Sequence, residues 1–356
     1  MNLDSPHPSL IVVVGGGGVG KTTLAAALGL QSAAAGRDTL VMTFDPSRRL
    51  KDTLGVGDQA EDREVDVASK TPGRLAASLL DARRTFDRLV WRYASDEASA
   101  RRILENRFYD QLAGNLAGVL EYMAVERLFE VAADRRYDRI ILDTPPTRQA
   151  LDFLQAPDRI VGFLDSGAVK LALRPWFDKH GRVKAASRLP FVGRKFESFL
   201  DRVVGLDLLR ELAEFFQAFA PLYGGFRDRA QEVQRLLRSR ETLFVLVTRP
   251  GEEAVPEALF FARQLAETGH NLGPIVVNMV SPAMDIDPAS APEDAREGLR
   301  LLAWLSDRDQ RGLAAFRRLL PAPGQLVDLP LSGQEPTTLP ALGRVGETFA
   351  DRLKAA

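Results

Sequence analysis

The feature that most constrains this chain is a run of glycines close to its start. Residues 15–22 read Gly-Gly-Gly-Gly-Val-Gly-Lys-Thr, which fits the pattern G-x-x-x-x-G-K-[ST]. A β-branched apolar run at residues 10–14 precedes the glycines, and an Ala- and Leu-rich segment at residues 22–35 follows them. These flanks predict a strand, a turn and a helix, which is the setting in which such a loop binds phosphate. A glycine-rich turn that binds nothing is the alternative.

Each residue type in this loop has a chemical reason. Glycines let successive backbone N–H groups turn inward into an anion-binding nest, and the following helix adds its positive end. Lys21 is expected to reach the β- and γ-phosphates and to act in catalysis, and Thr22 is expected to give its hydroxyl to Mg²⁺. The nucleotide-binding residues predicted here are Gly15, Gly16, Gly17, Gly18, Val19, Gly20, Lys21, Thr22 and Thr23.

Strand and helix patterns alternate along the rest of the chain, with two long helical stretches between them. Further strands are expected at residues 38–44, 137–142, 242–247, 274–280 and 325–329. Helices are expected at residues 256–268 and 339–355, and the helical stretches at about 74–134 and 156–240. This pattern predicts an α/β fold, a P-loop NTPase core with a mostly parallel, doubly wound sheet. We expect residues 8–70, 135–157 and 241–356 in the core, and residues 71–134 and 158–240 in a helical subdomain.

Two aspartates directly follow predicted strands. Asp45 ends the pattern at residues 38–44, and Asp143 follows the apolar run at residues 139–142. In a doubly wound sheet the carboxyl ends of such strands lie beside the phosphate loop. Asp45 is expected either to orient the attacking water or to cap a helix. Asp143 is expected to support the Mg²⁺ site, with a simple turn as the alternative.

The composition excludes several kinds of site and partner. The chain has no cysteine and three histidines, so disulfides, thiolate nucleophiles, cysteine zinc sites and cysteine-ligated iron–sulfur clusters are excluded. Lys and Arg total 47 against 48 Asp and Glu, so no nucleic-acid partner is expected. Residues 1–9 lack the pattern of a secretory signal, and no window of about 20 residues is continuously apolar. We therefore expect a cytoplasmic protein.

Together these segments resemble the ArsA-type ATPases, the deviant-Walker family that includes the arsenite-pump ATPase and the ATPase that delivers tail-anchored membrane proteins. The matching segments come in family order: GGGGVGKTT at 15–23, DPSRRLKDTLG at 45–55, DTPPTRQALDFLQAP at 143–157, VTRPGE at 247–252 and PIVVNMV at 274–280. The third segment is characteristic of the bacterial, anion-transporting-ATPase-like branch. The resemblance implies a dimer that binds ATP and Mg²⁺ and switches with ATP turnover.

The resemblance also implies roles for single residues. Asp45 is similar to the residue that activates the attacking water, and residues 143–147 are similar to the segment that senses the γ-phosphate. Asn278 matches the asparagine that reads adenine, since its amide offers the base one donor and one acceptor. Pro330 and Leu331 fall where the family's adenine loop lies.

Two departures from the family pattern matter. The family loop carries a lysine, where this chain has Gly16, that crosses the dimer to the partner's nucleotide. Either a paralogous partner in a heterodimer supplies that cation, or an arginine does so in a homodimer. Arg48, Arg49 and Arg148 are the candidates, with solvated surface arginines as the alternative. The absence of cysteine excludes thiolate binding of arsenite.

The helical subdomain is where a client protein or membrane partner is expected to bind. The Phe- and Leu-rich stretch at residues 191–219 suits either a client surface or ordinary core packing. The basic and aromatic segment at residues 170–202 suits a membrane interface, which would make the protein peripheral, or a solvated loop. The last helix is expected to dock on the sheet, a membrane anchor being the alternative.

Three functions therefore remain open from the sequence. The first is an ATPase that switches a dimer acting on a client protein. The second is the energising subunit of an anion transporter, and the third is a positional switch of the MinD or ParA kind. Long helical insertions favour the first two, because positional switches are usually compact.

Overall fold

The computed structural model describes residues 7–45, 49–106, 109, 119–165, 225–284, 292–320 and 326–355, and it contains one eight-stranded sheet. The strands lie in the order β3-β4-β2-β5-β1-β6-β7-β8. Their bounds are β1 Leu10–Gly15, β2 Thr39–Thr43, β3 Val65–Asp66, β4 Leu75–Leu79, β5 Arg139–Asp143, β6 Thr242–Thr248, β7 Leu272–Val280 and β8 Leu326–Pro330. All neighbouring strands are parallel except β3, which runs antiparallel to β4. The α/β P-loop fold predicted from the sequence is confirmed.

Ten helices of more than one turn lie in the described residues. They are α1 Lys21–Ala34, α2 Arg49–Leu54, α3 Ala82–Tyr93, α4 Glu97–Leu104, α5 Val119–Asp134, α6 Thr147–Asp165, α7 at 225–237, α8 Val255–Glu267, α9 Arg296–Leu319 and α10 Leu339–Ala355. Strand β1 ends at the glycine loop and α1 begins at Lys21, so the loop has the flanks that the sequence predicted.

The register of the central strands brings the candidate residues to one edge of the sheet. Val13 in β1 lies opposite Asp143 in β5, and Thr43 in β2 lies opposite the same aspartate. Gly15 in β1 lies opposite Val247 in β6. The carboxyl ends of β2, β5, β1 and β6 therefore lie side by side, which is where ligands bind in open α/β sheets.

Helix α1 packs closely against the sheet on one side and against α10 on the other. A Cβ on Gly29 would stand 2.2 Å from Cγ2 of Val41, so only glycine allows this approach to β2. Leu342 and Phe349 of α10 are fully buried in the same core. The docked position predicted for the last helix is thus observed, and its apolar face is not left for a membrane.

Strand β4 and helix α9 differ from the sequence prediction. Strand β4 lies inside the stretch from residue 74 onward that was expected to be helical, and that expectation was wrong there. Its five residues, Leu-Ala-Ala-Ser-Leu, have no β-branched member, but all are buried in the sheet, where packing overrides propensity. Helix α9 was not predicted, although its buried positions Asp309, Leu313 and Phe316 are spaced for one helical face.

The chain divides into two compact units. The first contains residues 1–80, 131–151 and 235–356, with the whole sheet, and the second contains residues 81–130 and 152–234. The segments at 170–202 and 191–219, on which the client and membrane surfaces were predicted, lie outside the described residues. Among the residues that are described, no helix is long and apolar enough to cross a bilayer.

Candidate functional site: a phosphate loop at the sheet edge

The glycine loop adopts a backbone that requires glycine. Gly15, Gly18 and Gly20 have φ angles of 145°, 68° and 91°. A Cβ on Gly15 would stand 2.0 Å from the carbonyl oxygen of Val247, so β6 leaves no room for a side chain there. Helix α1 has no side-chain cap and no acidic residue in its first turn. Its N-terminal amides and its positive end are thus left for an anion.

Lys21 lies inside this loop rather than in solvent. Its side chain is buried, and its Nζ donates to the carbonyl oxygen of Gly16 over 2.7 Å. Burial lowers the pKa of Lys21, and the nearby carboxylates of Asp143 and Asp45 act in the opposite direction. The loop therefore holds a cation in its interior, at the place where the β- and γ-phosphates are expected.

Asp143 connects the loop to the two central strands. Its Oδ2 accepts hydrogen bonds from the hydroxyl of Thr22, at 2.8 Å, and from the hydroxyl of Thr43, at 3.0 Å. Its Oδ1 is buried and has no hydrogen-bond partner in the described part of the chain. Burial raises the pKa of Asp143 to about 6, although both hydroxyls and the charge of Lys21 lower it. A buried oxygen left in this way is costly unless a ligand supplies its partner.

Thr22 and Asp143 fit the donor set that a P-loop Mg²⁺ needs. Mg²⁺ is bound through few protein oxygens, with water and phosphate oxygens completing its shell. The Thr22 hydroxyl and the unpartnered Asp143 oxygen are such oxygens, and they lie next to the loop. Among the described residues, no cluster of three His, Asp or Glu side chains forms a protein-only metal cage.

Asp45 lies just beyond the end of β2, at the same edge as Asp143. Its backbone N–H donates to the hydroxyl of Thr43 over 3.1 Å. The negative charge of Asp45 raises the pKa of both Lys21 and Asp143. The alternative use of Asp45, as a helix cap, depends on residues 46–48, which lie outside the described residues.

Asn278 reaches the phosphate loop from β7. Its Nδ2 donates to the carbonyl oxygen of Val19 over 2.8 Å, so one half of the amide is used to hold the loop. Pro330 and Leu331 are exposed at the end of the neighbouring strand β8. The backbone N–H of Leu331 donates to the carbonyl oxygen of Val280 over 2.8 Å. The three residues predicted to contact adenine thus belong to the neighbouring strands β7 and β8 and the residue after β8, and the reading of the base stays a prediction.

One residue at the loop was missed in the sequence analysis. Arg249 directly follows β6, and its Nη2 donates to the carbonyl oxygen of Gly17 over 3.1 Å. The segment at 247–252 was recognised as a matching motif, but its arginine was given no role. The signal was its position after a strand next to β1, because such a residue must reach the loop edge. Of the arginines that were predicted, Arg49 is exposed and close enough to lower the pKa of Lys21. The side chains of Arg48 and Arg148 lie outside the described residues.

A cavity of about 230 Å³ lies on the flank of the loop, between β6 and α8. Glu253 and Glu257 line it together with Gly16 and Arg249. Carboxylates repel phosphate, so this cavity is a poor seat for the triphosphate itself. The nucleotide is better placed over the loop itself, where Lys21 and the first turn of α1 lie.

A parallel sheet, a glycine loop between β1 and α1, a buried lysine and an aspartate bonded to the loop threonine define a P-loop nucleoside triphosphatase. Residues 9–298 match the family model described as anion-transporting ATPase, ArsA_ATPase. The chain therefore belongs to the ArsA-type ATPase family, as its motifs predicted.

Named relatives support this assignment. The ATPase GET3C of Arabidopsis thaliana is 25% identical over 354 residues, which cover 94% of this chain and 80% of the relative. The ATPase GET3B of the same plant is 28% identical over 352 residues, covering 94% of this chain and 76% of the relative. The ATPase get3 of Aspergillus terreus is 32% identical over 148 residues, covering 41% and 42% of the two chains.

Proposed function

We propose that this chain binds ATP with Mg²⁺ and hydrolyses it, using the phosphate loop and the two strand-end aspartates. The observation that carries the proposal is the contact of Thr22 with Asp143, because it leaves a buried carboxylate oxygen beside a buried lysine. If the site bound no ligand, this unpartnered oxygen would destabilise the fold and no interaction would compensate for it.

The proposed chemistry assigns one task to each group. Lys21 and the loop amides neutralise the charge that develops on the γ-phosphoryl oxygens. Bound Mg²⁺ would polarise the phosphate oxygens, and Thr22 and Asp143 would hold it. Asp45 orients the attacking water and takes up its proton as the water oxygen bonds to the γ-phosphorus. The bond from that phosphorus to the bridging oxygen breaks, which gives ADP and inorganic phosphate.

The proposed role of turnover is to switch a dimer that acts on a client protein or a membrane partner. Family membership and the named GET3 relatives support it. The dimer is either a homodimer or a heterodimer with a paralogue, and the helical unit is the proposed partner surface. A positional switch that anchors through its last helix is less favoured, because α10 buries Leu342 and Phe349 in the core.

A second candidate is the energising subunit of an anion transporter, and the description of the matching family model favours it. The anion would have to be bound without thiolates, since the chain has no cysteine. Its partner would be a membrane protein. Copurification from detergent-solubilised membranes with a polytopic protein, in place of a protein with one terminal membrane helix, separates this candidate from the first.

The direct test combines turnover with oligomeric state. Asp45→Asn should bind ATP and hydrolyse it slowly, which accumulates the ATP-bound state. Sedimentation of this variant with Mg²⁺ and ATP is expected to show a dimer more compact than the one seen with ADP. Turnover by the wild type with the same sedimentation in both nucleotides would remove the switch and leave the ATPase. No turnover in any assembly would contradict the proposal as a whole.

A further inference from the structure

Arg249 lies against the phosphate loop, beside Gly17 and Gly18. Strand β6 pairs with β1 up to the contact of Gly15 with Val247, so the residue after β6 must lie beside the glycines. Its Nη2 donates to the carbonyl oxygen of Gly17 over 3.1 Å. An ideal Cβ on Gly18 would stand 2.9 Å from the same nitrogen, so the guanidinium lies directly against the loop backbone.

The position of Lys21 indicates that Arg249 lies at the end of the loop where the β- and γ-phosphates are expected. The lysine of such a loop reaches the β- and γ-phosphates, and here its Nζ lies 2.7 Å from the carbonyl oxygen of Gly16. Arg249 is bonded to the next residue, Gly17. The two cations thus hold adjacent carbonyl groups, one from the buried interior of the loop and the other from its exposed rim.

The guanidinium of Arg249 has N–H donors that remain available for a further partner. It carries five N–H donors in a planar fork that matches phosphate oxygens. Within the described residues, one hydrogen bond joins it to the protein, the bond to Gly17. Because the side chain is exposed, the remaining donors are open to a ligand that enters from solvent.

The charges around Gly16 explain why a cation is needed there. An ideal Cβ on Gly16 would stand 3.4 and 3.5 Å from the two carboxylate oxygens of Glu257. Glu253 lines the same flank of the loop. A triphosphate that ends at this rim meets the negative charge of these carboxylates, so a second cation beside Lys21 would favour its binding.

We propose that Arg249 is a second phosphate cation, which binds the terminal phosphate of the nucleoside triphosphate held by its own chain. This inference rests on the proposed function, since it presupposes that the loop binds ATP. Arg249 would then favour ATP over ADP, because ADP lacks the phosphate that the guanidinium would contact.

The test is to measure ATP and ADP binding by calorimetry, with Mg²⁺, on the wild type and on Arg249→Ala. The ratio of ATP to ADP affinity is expected to fall about tenfold in the variant, the effect of losing one charge-assisted hydrogen bond. ADP affinity should stay within about twofold, which also shows that the variant is folded. Arg249→Lys keeps the charge without the fork and should lose less than Arg249→Ala. Arg317→Ala, at an exposed arginine of α9, is the matched control and should change neither affinity.

The possible failures are separable. If the wild type binds no ATP, both the proposed function and this inference are wrong. If the wild type binds ATP and the ratio is the same in Arg249→Ala, the proposed function stands and the second cation is wrong. If the ratio does fall, a mixture of Lys21→Ala and Arg249→Ala chains tests the same-chain assignment. Hydrolysis that returns on mixing would mean that Arg249 acts across two copies, which would overturn the assignment.

Discussion

The phosphate-loop unit and the helical unit each bury a carboxylate with a raised pKa, and they surround it differently. In the first unit, burial raises the pKa of Asp143 to about 6, and its Oδ1 has no hydrogen-bond partner in the described residues. In the helical unit, burial raises the pKa of Glu126 to about 7, but its Oε2 accepts a 2.5 Å hydrogen bond from Nε of Arg229. That guanidinium also lies over the ring of Tyr93, 4.1 Å from its centroid.

The difference teaches that a shifted pKa by itself does not mark a functional site. Glu126 accepts its hydrogen bond from the buried Arg229, and nearby Glu130 accepts one from Arg88 at 3.0 Å. A buried charge of this kind is tolerated in a packed helical unit only because an opposite charge compensates it. Asp143 has partners on one oxygen only, at a strand end beside a loop with uncapped amides. Nη2 of Arg229 also lacks a hydrogen-bond partner in the described residues, so the unpartnered oxygen of Asp143 is distinguished by its place beside the phosphate loop, where a ligand is expected.

The largest expected effect is on stability, at the buried ion pair of Glu126 and Arg229. Glu126→Ala leaves the buried Arg229 guanidinium without its partner and should lower the free energy of unfolding by about 3–5 kcal/mol. Replacing both residues, with Glu126→Leu and Arg229→Met, should recover most of that loss. Glu97→Ala breaks an exposed pair with Arg101 and should cost less than about 0.5 kcal/mol. Denaturant titration measures all three, and a large loss of ATP affinity in folded Glu126→Ala would break the comparison.

The second effect is on ATP binding, at the phosphate loop. Lys21→Ala removes the cation inside the loop and should weaken ATP binding about 100-fold or more, with little change in unfolding free energy. The matched control is Lys354→Ala, at an exposed lysine in the last turn of α10. Calorimetry decides the outcome, and an ATP affinity equal to that of the control would return the loop to a simple glycine turn.

The third effect is on turnover. Asp45→Asn keeps the shape of the side chain and removes the group that takes up the proton, so hydrolysis should slow about 100-fold while ATP still binds. Asp52→Asn, on the exposed side of α2, should leave the rate unchanged. If both variants hydrolyse ATP at the wild-type rate in a phosphate-release assay, Asp45 has a structural role only.

The fourth effect is a pH dependence with opposite signs for stability and for binding. The pKa of Asp143, about 6, lies above its ordinary value of 3.8, so the folded chain holds this proton more tightly than the unfolded chain. Its contribution to stability therefore falls as pH rises from about 4 to 6. Mg²⁺ binding needs the ionised carboxylate, so ATP affinity should rise up to about tenfold between pH 5 and 7. Affinity that falls over this range would contradict the assignment of Asp143.

The smallest effect concerns the base. Asn278→Ala removes the hydrogen bond to Val19 and should weaken ATP and GTP binding a few-fold each. If the amide also reads adenine, the preference for ATP over GTP should disappear in addition. An equal loss for both nucleotides, with the preference intact, would leave Asn278 as a residue that positions the loop.

The sequence was sufficient for six of the eight strands and for the residues at the strand ends. The glycines, Lys21 and Asp143 could be found because their chemistry needs fixed residue types at fixed positions along the chain. Strand β4 could not be found, because an Ala-rich segment becomes a strand only through its place in a buried sheet. The contacts of Arg249 with Gly17 and of Asn278 with Val19 join residues more than 200 positions apart, and no local pattern predicts their geometry.

The central claim is that the unpartnered oxygen of Asp143 serves a Mg²⁺-bound nucleotide. The measurement that tests it most directly is ATP affinity with and without Mg²⁺, on the wild type and on Asp143→Asn, with Glu126→Gln as the buried carboxylate control. We expect Mg²⁺ to strengthen ATP binding at least about tenfold in the wild type and in Glu126→Gln, and to have little effect in Asp143→Asn. The same Mg²⁺ dependence in all three proteins would contradict the account.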